Sequence, residues 1–495
     1  MRAIAAILLW SVALPAAAEG PRGPALAAAS NYGQGWQPEM FATATAHGID
    51  DFRDAVYWDR VERPDGRHVF DRPTTTWPDA LAATGAGTSL TVNNGHPAHD
   101  GGVTPHSPGA VAAFAAHAAA TVARFPAIHS VEVGNEFNSL TFTSGPVREA
   151  ALPDRAAAYM ALLKATHDAV AEVDPDIRIL GGGVHSIPAG YLRMLFDLGA
   201  AAYMDALALH PYTTPPEQLV RQVAVLHRQV PQAARLPIEA TEFGSTDPAD
   251  APRHLLKSYC QMALAGVTRA VWYPLNDRGD GLVPLIDRSL GLTDAGRAFL
   301  TIRAELEGRP VADRAPDPFT YACGFGPDRL VIWGASRAVD LAPGLVARDA
   351  TGAPVAAPAL SGRPLLISGP GAGQMAGVTL GPQRVLADSF DQFAYPVSGA
   401  ARPAGDGFAR FARQEGRRIP LVTRPGQERM SEAWTPHRGA ASDRALFLDA
   451  TTLMPGGWPA APTAIVHRHE PPRAQRARLR LRLAPAARSA DGVRL

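Results

Sequence analysis

Two glutamates stand in matching local settings. Glu136 lies in Val131-Glu132-Val133-Gly134-Asn135-Glu136-Phe137-Asn138, and Glu242 in Pro237-Ile238-Glu239-Ala240-Thr241-Glu242-Phe243-Gly244. Each closes a short run with β-branched residues that reads as a buried strand. A carboxylate at such a strand end has little water around it, which predicts a raised pKa and work as a general acid. Two carboxyl groups facing each other across a substrate are what cleavage of a glycosidic bond requires. Neighbouring acids read differently. Odd spacing turns Glu239 to the strand face opposite Glu242 and predicts a structural role. Glu132, four residues before Glu136, shares its face, which leaves a supporting role open.

Something must hold these strand ends together. From Leu26 to about Gly308, apolar runs alternate with helical patterns eight times. The expected strands are Ala27–Tyr32, Asp51–Tyr57, Ser89–Asn93, Ser130–Asn135, Ile177–Gly181, Ala206–His210, Ile238–Glu242 and Ala270–Tyr273. Helices are expected near Pro38–His47, Trp77–Thr84, Pro108–Phe125, Arg155–Glu172, Ala189–Leu198, Pro216–Val230, Ala251–Ala265 and Thr293–Glu307. Such alternation implies parallel strands with helical crossovers, and eight repeats fit a closed (β/α)₈ TIM barrel, an α/β fold. An open doubly wound sheet is the alternative; no glycine-rich phosphate turn follows the first strand to support it. A barrel puts its chemistry at the C-terminal strand ends. The polar residues there are Arg53 with Trp58 beyond it, Asn93-Asn94-Gly95-His96, Asn135-Glu136, His210-Pro211-Tyr212, Glu242, and Trp272-Tyr273.

The Asn-Glu pair on the fourth strand and the Glu on the seventh resemble the clan A glycoside hydrolases. The stretch Arg53-Asp54-Ala55-Val56-Tyr57-Trp58-Asp59-Arg60-Val61-Glu62, with Gly66 and Phe70-Asp71, resembles family 39 in particular, as does Leu207-Ala208-Leu209-His210-Pro211-Tyr212. That family includes β-xylosidases, α-iduronidases and endoglycosidases of bacterial exopolysaccharides. The resemblance implies a retaining double displacement, with Glu136 as acid/base and Glu242 as nucleophile. It implies a substrate-binding set of Arg53, Trp58, Asn94, His96, Asn135, His210, Tyr212 and Trp272. In that set Arg53 and Tyr212 stabilise ionised Glu242, Asn135 meets the sugar 2-hydroxyl, His210 joins the network, and Trp272 forms a platform beneath the reacting ring. Trp36, Trp58, Trp77 and Tyr212 extend a line of stacking surfaces along the mouth, which favours internal cleavage of a long polysaccharide. Exo-action on short xylosides, a glycan-binding barrel without catalysis, and a factor in exopolysaccharide assembly stay open.

Composition narrows the partners. Apolar residues make 46% and charged residues 19% of the 495, as in a soluble globular protein, and a formal net charge of zero argues against nucleic acid. Every basic residue except Lys164 and Lys257 is arginine, which with abundant Ala, Gly and Pro reads as codon bias and not as anion binding. Arg2, the apolar run Ala3–Leu14 and Ala16-Ala17-Ala18 predict an export signal over residues 1–18, hence a secreted or periplasmic chain; a membrane anchor is the other reading. No integral membrane segment is expected after its cleavage. Cys260 and Cys323 fall in different expected domains and read as two buried thiols, with a bridge as the alternative. No cofactor is expected, and no metal-ligand spacing such as CxxC or HExxH occurs.

The barrel is expected over residues 19–308. A small β-rich accessory region with a linker follows over 309–382, carrying strands at Leu330–Trp333, Gly344–Arg348 and Pro364–Ile367, a turn at Asp349–Gly352, and linker glycines at Gly369–Gly373 and Gly377–Gly381. Residues 383–495 read as a further β-sandwich-like region that binds carbohydrate. Strict alternation over Arg478–Leu483 predicts a half-buried strand with a basic face, and Asp491–Leu495 reads as a strand just starting, in a sequence that continues.

Overall fold

A computed structural model describes residues 20–93, 95–397, 402–440, 445–458, 461–471, 473–474 and 476–484. The expected export signal, Asn94 and the Asp491–Leu495 segment lie outside the described residues. Eight strands close a parallel barrel in sequence order: β1 (Ala25–Ala29), β2 (Asp51–Asp54), β3 (Gly87–Val92), β4 (Ile128–Val133), β5 (Arg178–His185), β6 (Ala206–His210), β7 (Ile238–Phe243) and β8 (Val267–Trp272), with β8 pairing back onto β1. This is the expected TIM barrel.

Eight helices alternate with the strands: Pro38–Ala46, Pro73–Thr84, Pro108–Arg124, Leu152–Val173, Ala189–Asp197, Pro216–Gln229, Ala251–Leu264 and Asp294–Leu306. Local chemistry sets their ends. Prolines occupy the first turn of most, where the missing N–H costs nothing. The Ser107 and Thr293 hydroxyls cap theirs by accepting from Ala110 and Gly296 at 3.3 and 3.1 Å. Gly85, at φ 74°, ends the Pro73–Thr84 helix in the left-handed region. The N-terminal ends of the strands carry a charge group built around the buried Glu239 and Arg269. Glu239 pairs with Arg178 at 2.8 Å and Arg269 at 3.5 Å, and Arg269 with Asp51 at 2.7 Å. Glu239 is therefore structural, at the opposite end from the chemistry.

Two β regions follow. In the first, strands 311–313, 320–325, 329–334, 346–348 and 365–368 form one sheet, and 337–341, 359–360 and 378–380 a second. The presumed linker glycines flank structure. Val378–Leu380 pairs with Val339–Leu341, and Ala372–Gln374 is a turn of 3₁₀ helix. Cys260 and Cys323 are bonded, with Cα atoms 5.9 Å apart, against the expectation of two thiols. The bond ties the Ala251–Leu264 helix to the sheet; sequence reading set the two cysteines in separate domains and could not see that those domains dock. In the second region, two four-stranded sheets share a core of Phe393, Tyr395, Ala412, Leu421 and Leu446 that includes Val225 from the barrel helix Pro216–Gln229.

The expected strand Arg478–Leu483 is not one. The segment has no strand pairing, and Leu479 and Leu481 are 87% and 67% exposed. Alternation supplies a face, but a strand also needs an edge to pair with, and none meets this segment among the described residues. No helix among the described residues is long and apolar enough to cross a membrane.

Candidate active site

Strand alternation sends Arg53 of β2, Glu132 of β4 and His210 of β6 into the mouth end of the barrel, where even-numbered strands contribute to common layers. Arg53 is 6% exposed and its fork makes three contacts: Nε donates to Glu132 Oε2 at 2.5 Å, one terminal nitrogen to Glu242 Oε1 at 2.6 Å, the other to Asn135 Oδ1 at 3.1 Å. Tyr212 donates its hydroxyl to the second Glu242 oxygen at 2.9 Å. Burial and then the Glu242 charge push the Tyr212 pKa well up, so the phenol keeps its proton and remains a donor.

His210 is fully buried. Its Nδ1 lies 3.0 Å from Glu136 Oε1, and its Nε2 3.3 Å from Glu132 Oε1 and 3.1 Å from the Thr241 hydroxyl, which itself donates to Glu132. Both ring nitrogens thus face acceptors, the arrangement of an imidazolium. Burial alone pulls the His210 pKa down, but the Glu242 charge and the hydrogen bonds to Glu132 and Glu136 raise it to about 9.

Glu136 sits at φ 48°, an uncommon backbone setting for a non-glycine residue. Its N–H donates to Gly183 O at 2.6 Å, and Oε1 also meets His185 Nδ1 at 2.9 Å. Gly134 precedes it at φ 77°, where a Cβ would come within 3.0 Å of Phe137 and Tyr159. The expectation of a raised pKa fails here. Burial pushes upward, but hydrogen bonds from His185 and His210 win and hold Glu136 at about 2. Glu132 is likewise at about 2, because Arg53 and His210 overcome its burial. Oxygens of Glu136 and Glu242 lie within 4.8 Å of each other.

Arg53, Asn135, Glu136, His210, Tyr212 and Glu242 thus converge on one site. Three others do not. Trp272 is fully buried, donates its indole N–H to Val283 O at 3.0 Å and packs edge-on against Phe243, so it has no face for a sugar. Trp58 (1% exposed) packs among His99, Phe114 and His117 and donates to Glu62; Trp77, also 1% exposed, is core as well. The line of stacking surfaces therefore does not exist as drawn. An aromatic at a strand end is apolar bulk first, and the interior takes it. His96 joins Glu62 and His99, three residues whose ligand atoms lie within 4.8 Å of one another. In the arrangement present, Glu62 accepts from Trp58 and pairs with His99 at 2.8 Å, while His96 Nδ1 accepts from Ala98 N–H at 3.1 Å. That leaves the proton of a neutral His96 ring on Nε2, and the group reads as a hydrogen-bonded support and not a set of free ligands.

Two residues were missed in the sequence. His185 lies at the end of β5, beyond Gly181–Gly183, where the register with β6 shifts and the expected strand stopped too early. Trp434 comes from the second β region and meets His185 edge-on, ring centroids 4.7 Å apart. Nothing in the local sequence marks it.

No family model matches the chain. No curated protein matches it either. Solved structures do. A family 39 glycoside hydrolase from the gut symbiont Bacteroides cellulosilyticus WH2 aligns over 71% of this chain and 81% of its own, with TM-score 0.58 and 16% identity. A family 30 endoxylanase from Clostridium papyrosolvens C71 gives 71% and 98%, TM-score 0.53 and 14% identity. A family 39 β-xylosidase from Caulobacter crescentus gives 71% and 97%, TM-score 0.51 and 18% identity. What this chain shares with them at such identities is architecture: its fold is that of the clan A glycoside hydrolases of families 39 and 30.

Proposed function

We propose that the protein is a retaining glycoside hydrolase in which Glu242 attacks the anomeric carbon and Glu136 serves as acid and then base. The observation that carries this reading is the carboxyl separation. Oxygens of the two groups within 4.8 Å of each other support a covalent double displacement, for which roughly 5–5.5 Å between carboxyl groups is typical, against roughly 6.5–9.5 Å at an inverting site. Arg53 and Tyr212 occupy one lone pair on each Glu242 oxygen and orient it for attack. Asn135, held by Arg53 and by Asn93, is the candidate for the sugar 2-hydroxyl. With Glu136 ionised before substrate binds, the proton for the leaving oxygen passes from His210 Nδ1 to Glu136, which donates it, and the proton that Glu136 later takes from water returns to His210. The basic form of Glu136 then suits the second step, deprotonation of water.

As substrate we propose a polysaccharide, specifically a bacterial exopolysaccharide met outside the cytoplasm. The predicted export signal and the family 39 resemblance support this; the aromatic line does not, since Trp58 and Trp77 are core. Proton NMR of the first product formed is the test of mechanism: the retained anomer is expected, and initial appearance of the inverted one refutes double displacement. Glu242→Gln and Glu136→Gln are each expected to lower turnover on polysaccharide by ~10³-fold or more, on the scale of losing a principal catalytic group. Viscosity followed with reducing ends separates internal cleavage, where viscosity falls first, from release of terminal sugars.

A further inference from the structure

Residues 426–435 of the second β region reach into the mouth of the barrel. Gly426 O accepts from Gly190 N–H at 2.8 Å, and Glu428 pairs with Arg193 at 3.0 Å. Gln427, wholly buried, exchanges two hydrogen bonds with Asn138: it accepts from Nδ2 at 2.8 Å and donates to the Asn138 carbonyl at 2.6 Å. Asn138 in turn clasps the His185 backbone, accepting its N–H at 2.9 Å and donating to its carbonyl at 3.1 Å. His185 then meets Glu136. A continuous set of buried polar contacts therefore runs from the second β region to the acid/base candidate, and that segment's register is fixed relative to the site.

Beyond Gln427 the same segment lines an open cavity of about 310 Å³ with Glu432, Ala433, Trp434 and Thr435, closed on the barrel side by Thr213. Thr213 is anchored by a 2.6 Å contact with Ser186, next to His185. Trp434 is only partly buried and lies in the cavity wall. We propose that this cavity is a leaving-group subsite, in which Trp434 is the stacking platform for the sugar unit released from the reducing side of the cleaved bond, with the Glu432 and Thr213 side chains as its polar edges. The assignment rests on the glycosidase reading, because the acid/base must stand beside the glycosidic oxygen that joins the two sugars. Trp434, on the cavity wall, packs against the His185 ring, whose Nδ1 lies 2.9 Å from Glu136; the same ring reaches Glu242 only through Tyr212, on which it stacks. Its size fits one sugar ring, and an indole face binds sugar C–H groups by apolar contact while polar edges fix orientation.

The test compares substrates with and without a sugar leaving group. Wild type, Trp434→Ala and Trp434→Phe are assayed on a panel of bacterial exopolysaccharides and xylans and on α- and β-D-xylosyl, glucosyl, mannosyl and galactosyl fluorides. Thermal midpoints establish that each variant is folded. A fluoride fills no leaving-group subsite. Trp434→Ala is expected to lose at least tenfold more kcat/KM on the polysaccharide than on the fluoride, with Trp434→Phe in between. Equal losses on both substrates, or no loss on either, overturn the subsite while leaving the glycosidase reading intact. A wild-type chain inert toward the whole panel overturns that reading and this one with it.

Discussion

Arg53→Met keeps most of the stem volume and removes the charge on which the site's arrangement depends. In the native chain the guanidinium faces Glu132, whose side chain is fully buried, and Glu242, 12% exposed. Glu132 is held at about 2, against 4.5 for a free glutamate, by pairing that outweighs its burial. At 1.36 kcal/mol for each tenfold change in proton affinity, this is on the order of 3 kcal/mol. Removing one partner of a buried pair typically costs about 3–5 kcal/mol, which sets the scale for losing Arg53. The sign follows from the direction. A carboxylate with a depressed pKa contributes stability that is fully present above about 4.5 and lost as pH falls through about 2.

In Arg53→Met burial is left opposed by His210 and the Thr241 hydroxyl without the guanidinium charge, and the Glu132 pKa rises. Urea unfolding should therefore show a deficit of about 3 kcal/mol or more at pH 7 that shrinks by at least ~1 kcal/mol at pH 4, where the variant's carboxyl takes up a proton. The double variant Arg53→Met/Glu132→Gln should be more stable than Arg53→Met alone at pH 7, because the orphaned charge is gone. A deficit under about 1 kcal/mol, one independent of pH, or losses that simply add in the double variant would refute the view that this ion pair governs the site.

Two further outcomes follow from other groups. His210 is raised to about 9 and, in the proposed mechanism, supplies the stored proton, so the ring stays charged through neutral pH and loses its charge as pH rises through about 9. The basic limb of the kcat/KM profile should accordingly fall near pH 9, and His210→Asn should remove that limb along with most activity; a native limb near 6.5 would show that the ring is not held by its carboxylates. The Cys260–Cys323 bond spans a sequence separation of 63, for which loop entropy predicts about 4 kcal/mol, so the double serine variant should lose about 2–4 kcal/mol in urea, with no loss expected if the barrel and the first sheet unfold independently.

The eight-fold alternation was legible because each strand buries both faces and each helix one, and those periods are local properties of the chain. Positions such as Arg53, Asn135, His210 and Tyr212 were legible because a barrel converts a place in the sequence into a place at the mouth. What was not legible depends on contacts between segments far apart. Trp272 and Trp58 look the same in sequence whether they face a sugar or the core, and packing decided for the core. His185 was hidden by Gly181–Gly183, where β5 continues through a register shift instead of ending. The low Glu136 pKa was missed because burial was weighed without the two imidazoles that arrive from β5 and β6. Trp434 and the disulfide belong to domain contacts for which no local pattern exists.

The count of charges in the cluster gives it a direction. Among five side chains of the cluster, the carboxyl groups Glu132, Glu136 and Glu242 outnumber the cationic groups Arg53 and His210 by one. Glu132 cannot touch a substrate, since it is fully enclosed, yet it sets that balance; without it the two cations would match Glu136 and Glu242 in number. The reaction proposed here develops positive charge on the sugar only as the glycosidic bond breaks. A negative excess in a water-poor site stabilises that charge in the transition state more than it stabilises the neutral substrate, and only such a difference accelerates the chemical step. The fork of Arg53 and the phenol of Tyr212 occupy both oxygens of Glu242, the proposed nucleophile, and fix its orientation. The buried acid, the arginine fork and the imidazolium are thus one electrostatic unit, each member placed by a different strand and none able to do its part without the others.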